Sequence, residues 1–142
     1  MRSPVKFIFS FILFLGILSA PSVATSPSVS ASVSPNAIFI GDIITYSIDI
    51  SLHKDSLLIT VPDESSFADN ANLNFIDSRV SKSTDDTLRY ISLEYDFQIF
   101  DINQQIIPTQ HITIQPDTSK AYQDITIPAL TLPINSIKPA DV

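Results

Sequence analysis

The stretch LRYISLEYDFQIFDINQQIIP, residues 88–108, decides the fold because apolar and polar residues alternate along it. The apolar residues at every second position are Ile91, Leu93, Tyr95, Phe97 and Ile99. A period of two residues is typical of a β-strand with one buried face and one wet face. Residues 101–105 follow as a predicted turn, and residues 106–115 alternate in the same way. The pattern therefore predicts a long central strand that forms a hairpin with the strand after it.

The alternation of the central strand breaks near both of its ends. Leu88 and Tyr90 stand on the polar side before it, and Phe100 stands on that side after it. We therefore expect a bulge or a bend at each end of this strand.

A second long strand is predicted within residues 36–52. Its apolar face comprises Ile44, Tyr46, Ile48, Ile50 and Leu52. Gly41 precedes this face and is the only glycine after residue 24, so we expect it in a tight turn or bulge with a backbone angle closed to other residues. The two strands together predict that Ile48, Leu93, Tyr95 and Phe97 are buried and that Thr45, Asp49, Glu94 and Asp96 are exposed.

Composition and shorter apolar runs predict an all-β chain. The 142 residues include 10 Pro and 2 Gly, and no stretch shows an apolar stripe at helical spacing. Further strands are predicted at residues 57–61 before Pro62, at 73–80 before a turn at 81–86, at 122–127, and at 128–137 with an interruption at Pro133. This spacing is typical of an antiparallel two-layer β-sandwich of about seven to nine strands.

The first 24 residues have the three parts of a secretory signal peptide. Arg2 and Lys6 precede an apolar run over residues 7–18, and Ser22-Val23-Ala24 is a small-residue cleavage site. The run is short for a membrane span, which needs about 20 residues, although an uncleaved anchor is the alternative. We expect an exported protein, periplasmic or extracellular, with a single domain over residues 25–142. Residues 25–35 are a linker or a first edge strand.

Charge and cysteine content exclude several classes of function. The chain carries 8 basic and 15 acidic residues and no Cys. The net negative charge makes nucleic acid an unexpected partner. The absence of Cys excludes disulfides, thiolate metal sites and a lipidated cysteine anchor.

The run PDESSFADNAN, residues 62–72, predicts a polar surface loop. Its carboxylates Asp63, Glu64 and Asp69 are the candidate interaction residues, because an acidic loop can engage another protein by charge. Pro35, Pro128 and Pro133 place the terminal strands at sheet edges, since Pro lacks an N–H. An edge without Pro is the second candidate surface, by addition of a partner's strand.

No cluster in the sequence favours catalysis. Calcium could use the oxygen-bearing residues Asp69, Asn70, Asn72, Asn74 and Asp77, but their spacing fits no calcium loop. His53 and His111 lack metal-site spacing, Glu94 and Asp96 fit a solvated strand face, and there is no G-x-S-x-G elbow. Sugar stacking on Tyr90, Tyr95, Phe97, Phe100 and Tyr122 is the alternative to packing in the core. We predict no enzyme, no cofactor and no metal.

Two stretches carry a resemblance to a known family. FDINQQIIP, residues 100–108, resembles the F-D-x-G-x-Y-x-I-P element of the Ig-like domains in BatD-type ("oxygen tolerance") bacterial membrane proteins, and residues 31–50 resemble the opening strands of the same domains. Asn103 stands where the family has Gly and Gln105 where it often has an aromatic residue, whereas Pro108 matches. Asn tolerates a left-handed backbone angle, so Asn103 can keep the turn.

The resemblance implies a periplasmic Ig-like β-sandwich that joins protein assemblies without catalysing a reaction. Because that family carries a transmembrane segment and residues 19–142 contain no long apolar run, this chain would correspond to one domain of that design. The leading hypothesis is a non-enzymatic interaction or structural module whose partner is another envelope protein, with membrane contact only if the signal segment is uncleaved. The alternative is a binding module for carbohydrate or calcium.

Overall fold

The structure is a computed structural model that describes residues 27–101, 103–116 and 121–135. Of these residues, 64% lie in strands and none in an α-helix. The strands are β1 (Ser28–Ser34), β2 (Ile38–Phe39), β3 (Ile43–His53), β4 (Leu57–Thr60), β5 (Leu73–Thr84), β6 (Leu88–Ile99), β7 (Gln105–Ile107), β8 (Gln110–Gln115), β9 (Gln123–Ile127), β10 (Leu130–Leu132) and β11 (Ile134–Asn135). A 3₁₀ turn spans Glu64–Phe67. The predicted signal peptide lies outside the described residues.

The strands form two larger sheets and two small ones. The larger sheets have the orders β1-β3-β6-β5 and β4-β8-β9, and all their pairs are antiparallel. The pair β10-β7 is antiparallel as well, whereas β11-β2 is parallel. The expected antiparallel β architecture is thus present. The expected seven to nine strands become eleven in the described residues, because two- and three-residue strands are paired in the small sheets.

One hydrophobic core joins the inner faces of both larger sheets. The buried residues of β3 and β6 alternate without interruption and pair across the two strands, as Ile48 does with Leu93. Buried Ile112 and Ile114 of β8 belong to the same cluster. The predicted burial of Ile48, Leu93, Tyr95 and Phe97 is confirmed. On the opposite face Asp49 is exposed, but Thr45, Glu94 and Asp96 are half-buried, because they contact one another or Arg79.

The predicted hairpin between the central strand and residues 106–115 is wrong. β6 pairs with β3 and β5, while β8 pairs with β4 and β9 in the other large sheet. The hairpin that β6 does form is with the preceding strand β5, through a turn closed by Asp85 Oδ1, which accepts from the backbone N–H groups of Thr87 and Leu88 at 2.8 and 2.7 Å.

The predicted bulges in the central strand are also wrong. β6 pairs with β3 from Leu88 to Gln98 without a shift of register. Tyr90 lies on the outer face, where its hydroxyl donates to Asp85 Oδ2 at 3.0 Å, and Phe100 lies beyond the strand end, 61% exposed. Leu88 and Tyr90 are therefore partly exposed side chains of a regular strand, and Phe100 is an exposed side chain after its end.

Two bulges occur instead in the edge strands β4 and β5. The register shifts between Leu58 and Thr60 in β4 and between Phe75 and Asp77 in β5. Each shift leaves one residue without a partner across the ladder, Ile59 and Ile76, and both are exposed. Bulges are frequent at sheet edges, where they bend the strand.

Strand β5 runs to Thr84, beyond the predicted end near residue 80, so residues 81–84 are strand and not turn. At the other edge of the same sheet, β1 confirms the prediction of a first edge strand within residues 25–35, with Val29 and Val33 packed against the core.

Candidate functional site

The candidate site is an apolar groove between edge strands β4 and β5, with a volume of about 300 Å³. Its floor includes the buried side chains of Ile91 and Leu93. Its walls are Leu57, Ile59 and Val61 near β4 and Val80 on β5, which are 52, 45, 37 and 58% exposed. Clustered exposed apolar side chains mark interaction surfaces more often than scattered ones do. We call this feature the β4–β5 groove.

Beside the groove lies a free sheet edge. Among the described strands, β5 pairs with β6 on one side and with no strand on the other. No Pro occurs from Leu73 to Thr84, and beyond the bulge at Ile76 the eight residues 77–84 pair regularly with β6. Every residue of this segment is exposed. An edge of this kind presents unpaired backbone N–H and C=O groups to a partner strand.

The groove carries positive charge. Lys82 and Arg89 line it, and none of the described residues that line it carries a carboxylate. An Arg89 Nη2 N–H donates to the backbone oxygen of Ser56, while Arg89 Nε is buried without a hydrogen-bond partner in the described part of the chain. Neither cation forms an ion pair with any of the residues described. Their charge is therefore available to a partner.

Arg79, also on β5, differs because it is neutralised within the sheet. Its Nη1 lies 2.5 Å from Asp96 Oδ2, and its Nε lies 3.2 Å from Glu94 Oε1. The guanidinium hydrogen bond lowers the pKa of Asp96, and the Thr45 hydroxyl, which donates at 2.8 Å, lowers it further. The pKa of Arg79 rises for the reciprocal reason. These outer-face charges satisfy one another.

The acidic loop is anchored in the core by one aromatic side chain, although most residues of the loop are polar. Phe67, in the 3₁₀ turn, is 3% exposed, and its ring centroid lies 4.9 Å from that of Phe97 and 5.0 Å from that of Tyr95. The Tyr95 hydroxyl donates to the backbone oxygen of Pro62 at 2.7 Å. The prediction of a wholly superficial loop is therefore wrong at Pro62 and Phe67, which are both buried.

Within the loop, the three candidate carboxylates have different surroundings. Asp63 accepts from the hydroxyls of Ser65 at 2.6 Å and Ser66 at 3.3 Å, and its N–H donates to Ser66 Oγ at 3.0 Å, as in a capping box. The Ser65 hydrogen bond lowers the pKa of Asp63. Glu64 and Asp69 are exposed. All three carboxylates are therefore exposed, but that of Asp63 is committed to the turn by its hydrogen bonds with Ser65 and Ser66.

Gly41 lies in the turn between β2 and β3 with φ +90°, the left-handed region that favours glycine. Its N–H donates to the Ile99 oxygen at 2.6 Å, and its oxygen accepts from Gln98 Nε2 at 3.0 Å. These bonds tie the turn to the end of the central strand.

Asn103 and Pro108 lie near the acidic loop, a proximity that their separation in the sequence does not reveal. Both line a polar depression together with Asp69. Asn70 connects the two segments, since its Nδ2 donates to Gln105 Oε1 at 3.1 Å and to the Ile106 oxygen at 2.9 Å. The Asn70 amide therefore serves to join two segments of chain.

The remaining residues considered for chemistry are dispersed. His53 ends β3 and His111 lies on β8, in different sheets. In the described ranges no three His, Cys, Asp or Glu side chains are grouped so that they could hold a metal ion. None of the helical segments described is long and apolar enough to cross a membrane.

The aromatic residues considered for sugar stacking divide into two groups. Tyr95 and Phe97 are buried, as core packing requires, but Tyr90, Phe100 and Tyr122 are 41, 61 and 64% exposed. Core packing, expected for most of these rings, is thus confirmed for Tyr95 and Phe97 and wrong for the other three. The three exposed rings lie on β6, after β6 and before β9, and they line no common pocket among those found.

Comparison of the chain with protein-family models, with curated proteins and with solved structures finds no match in any of the three.

Sequence reasoning did not identify the residues of the β4–β5 groove. The signal that could have done so is the Pro-free run of residues 73–84, in which Val80 and Lys82 share one face at two-residue spacing. Recognising the groove also requires the position of β4, which belongs to the other sheet.

Proposed function

We propose that this chain is an exported, non-enzymatic interaction or structural module of the bacterial envelope, built as a two-layer antiparallel Ig-like sandwich and resembling the domains of BatD-type proteins. The strand orders β1-β3-β6-β5 and β4-β8-β9 support the architecture, because they correspond to the orders A-B-E-D and C-F-G of immunoglobulin constant-type domains. The chain from β6 to β8 then corresponds to the connection between strands E and F, on opposite sheets. The resemblance of residues 31–50 and 100–108 to BatD-type domains supports the same proposal.

The observation that carries the function is the free edge of β5 beside the β4–β5 groove. Natural sheets protect long edges with Pro, inward charges, bulges or covering loops. Here the bulge protects only the start of β5. The eight residues from Asp77 to Thr84 keep a regular, Pro-free edge, on which Lys82 is the one inward-facing charge. Addition of a strand there would give a partner main-chain hydrogen bonds, while the groove would receive its apolar side chains.

Two adjacent proline substitutions test whether this edge is free. Backbone N–H groups of successive strand residues point to opposite sides, so of Val80→Pro and Ser81→Pro one removes a hydrogen bond to β6 and the other removes an N–H at the free edge. We expect one variant to be strongly destabilised and the other to keep a melting temperature close to that of the wild type. Strong destabilisation by both would mean that β5 is not an edge in solution.

The tolerated variant then tests the function. Wild type and variant are used as bait in pull-downs from a periplasmic extract, with Ser81→Ala as the control, because it keeps the backbone N–H and its side chain does not line the groove. We expect the wild type and Ser81→Ala to retain a partner that the tolerated proline variant loses. A partner retained equally by all three would exclude the β5 edge, and the absence of any retained protein would contradict the interaction module itself.

A further inference from the structure

We propose that the β4–β5 groove recognises an extended partner segment with the alternating pattern acidic–x–apolar–x–apolar, which adds antiparallel to residues 77–84 of β5. This inference rests on the proposed function and specifies the chemistry of the partner.

The charge distribution points to an acidic partner. Acidic residues outnumber basic ones by 15 to 8 in the chain, yet the lining of the groove has two cations and no carboxylate. Burying Lys82 and Arg89 under a purely apolar strand would leave both charges unpaired, which is costly. A carboxylate on the added strand would pair with them. Complementary charge of this kind also fixes the register of a partner.

The spacing of β5 defines where that carboxylate belongs. On the face of β5 toward the core side, Ser78, Val80 and Lys82 follow one another at two-residue intervals and lie opposite Tyr95, Leu93 and Ile91. An added antiparallel strand places its own alternate side chains opposite these three. An acidic side chain suits the position opposite Lys82. An apolar one suits the position opposite Val80, which lines the groove with Leu57 and Ile59. Another suits the next position, opposite Ser78, whose neighbour on β6 is the buried Tyr95.

A second copy of this chain fits the groove less well. If β5 paired with its own copy, the inward positions within residues 77–84 would be Ser78, Val80, Lys82 and Thr84, so no carboxylate would face Lys82. The exposed walls Leu57 and Ile59 would receive only these same four side chains. A partner with an acidic–apolar segment therefore satisfies both the charge and the apolar surface of the groove, whereas the copy does not.

The length of the free segment of β5 matches that of an ordinary strand. The eight residues from Asp77 to Thr84 extend over about 26 Å at the usual rise per residue. This length is enough to hold one partner segment in a fixed register by main-chain hydrogen bonds, without rearrangement of the domain.

The experiment uses labelled, end-capped peptides as long as this segment, with binding measured by fluorescence anisotropy. The acidic probe alternates Ser with inward-facing Val and carries Glu at one inward position. The basic probe has Lys in place of that Glu. Two further probes are the acidic peptide with backbone N-methyl groups on one or the other set of alternate residues. We expect the acidic probe to bind about tenfold more tightly than the basic one. The Glu of the acidic probe forms a charge pair with the groove, whereas the Lys of the basic probe is repelled by it. N-methylation on one of the two alternate sets should abolish binding, because it removes the main-chain donors.

Charge reversal assigns the contact to a residue. Lys82→Glu should reverse the preference between the acidic and basic probes, whereas Lys54→Glu, an equal change of charge at an exposed residue outside the groove, should not. Lys82→Ala should reduce the preference for the acidic probe without reversing it, because Arg89 still lines the groove. Equal binding of both probes by the wild type, or an unchanged preference in Lys82→Glu, would overturn the proposal.

The outcomes separate this inference from the function on which it rests. If the pull-down partner is lost with the tolerated proline variant but neither peptide binds, the edge functions with a partner of other chemistry and only this inference fails. If light scattering shows a dimer that the same proline variant dissociates, the occupant is a second copy and this inference is again overturned. If the proline variant changes nothing in either assay, the proposed function fails as well.

Discussion

Replacing Phe67 by Ala tests the idea that one side chain attaches a polar loop to the core. Phe67 is 3% exposed and packs against three aromatic rings, those of Tyr46, Tyr95 and Phe97, with centroid distances of 5.9, 5.0 and 4.9 Å. Loss of a buried Phe costs about 3 to 5 kcal/mol, and each well-oriented aromatic pair contributes roughly 0.5 to 1.5 kcal/mol beyond its buried area. Because total stability is roughly 5 to 15 kcal/mol, we expect a loss of a large fraction of it.

The measurement is the free energy of unfolding from urea denaturation, with the slope compared between variants. Phe100→Ala is the matched control, since it removes the same side chain where it is 61% exposed, and we expect its effect to stay within about 0.5 kcal/mol. The Tyr95–Pro62 hydrogen bond remains in Phe67→Ala, so the loop should loosen around the 3₁₀ turn before it does at Pro62. Equal effects of the two substitutions would show that Phe67 does not hold the loop in solution.

Substitutions at three further positions probe the core, the sheet surface and the turn. Burial raises the pKa of Tyr46 to about 12, above the unfolded value of about 10, so its stabilising effect is complete below pH ~10 and is lost as the pH rises through the folded pKa. Tyr46→Phe should therefore flatten alkaline unfolding in a pH titration of the urea midpoint. Asp96→Asn should lower stability at neutral pH, and the difference from wild type should vanish on acidification, because Arg79 lowers the folded pKa of Asp96 below its unfolded value of about 3.9. Gly41→Ala should cost roughly 1 to 2 kcal/mol in thermal unfolding and Gly41→Asn less, because φ is +90° and no atom crowds an added Cβ.

Alternation in the sequence predicted the core best where a strand lies in the middle of a sheet. β3 and β6 are central strands, and each buries one face along nearly its whole length, so the period of two residues identifies Ile48 and Phe97 directly. The same pattern does not identify the neighbouring strand. Residues 106–115 alternate equally well in the other large sheet, which is why the predicted hairpin with the central strand failed.

The β4–β5 groove was harder to predict, because its exposure depends on the edge position of β5 in the sheet. Val80 reads as a core residue, yet it is 58% exposed, because β5 is the edge strand of its sheet. Conversely, Phe67 stands alone among polar residues and offers no periodicity, although its position opposite the rings of the central strand buries it. Exposure at an edge follows from the arrangement of sheets, which local pattern does not encode.

The bulge in β5 means that one residue of this strand can be deleted without a change in the pairing of its neighbours. Ile76 has no partner on β6, whereas Phe75 lies opposite Phe97 and Asp77 opposite Asp96. If Ile76 were deleted, Phe75 would still face the core and Asp77 would still face outward, because adjacent residues of a regular strand point to opposite faces. The ladder would close without moving any other side chain to the wrong face. Deletion of Ile76 should therefore be tolerated. Deletion of Arg79, in contrast, would require residues of β5 to take new partners on β6, and the extra residue of the bulge would be used up in that new pairing.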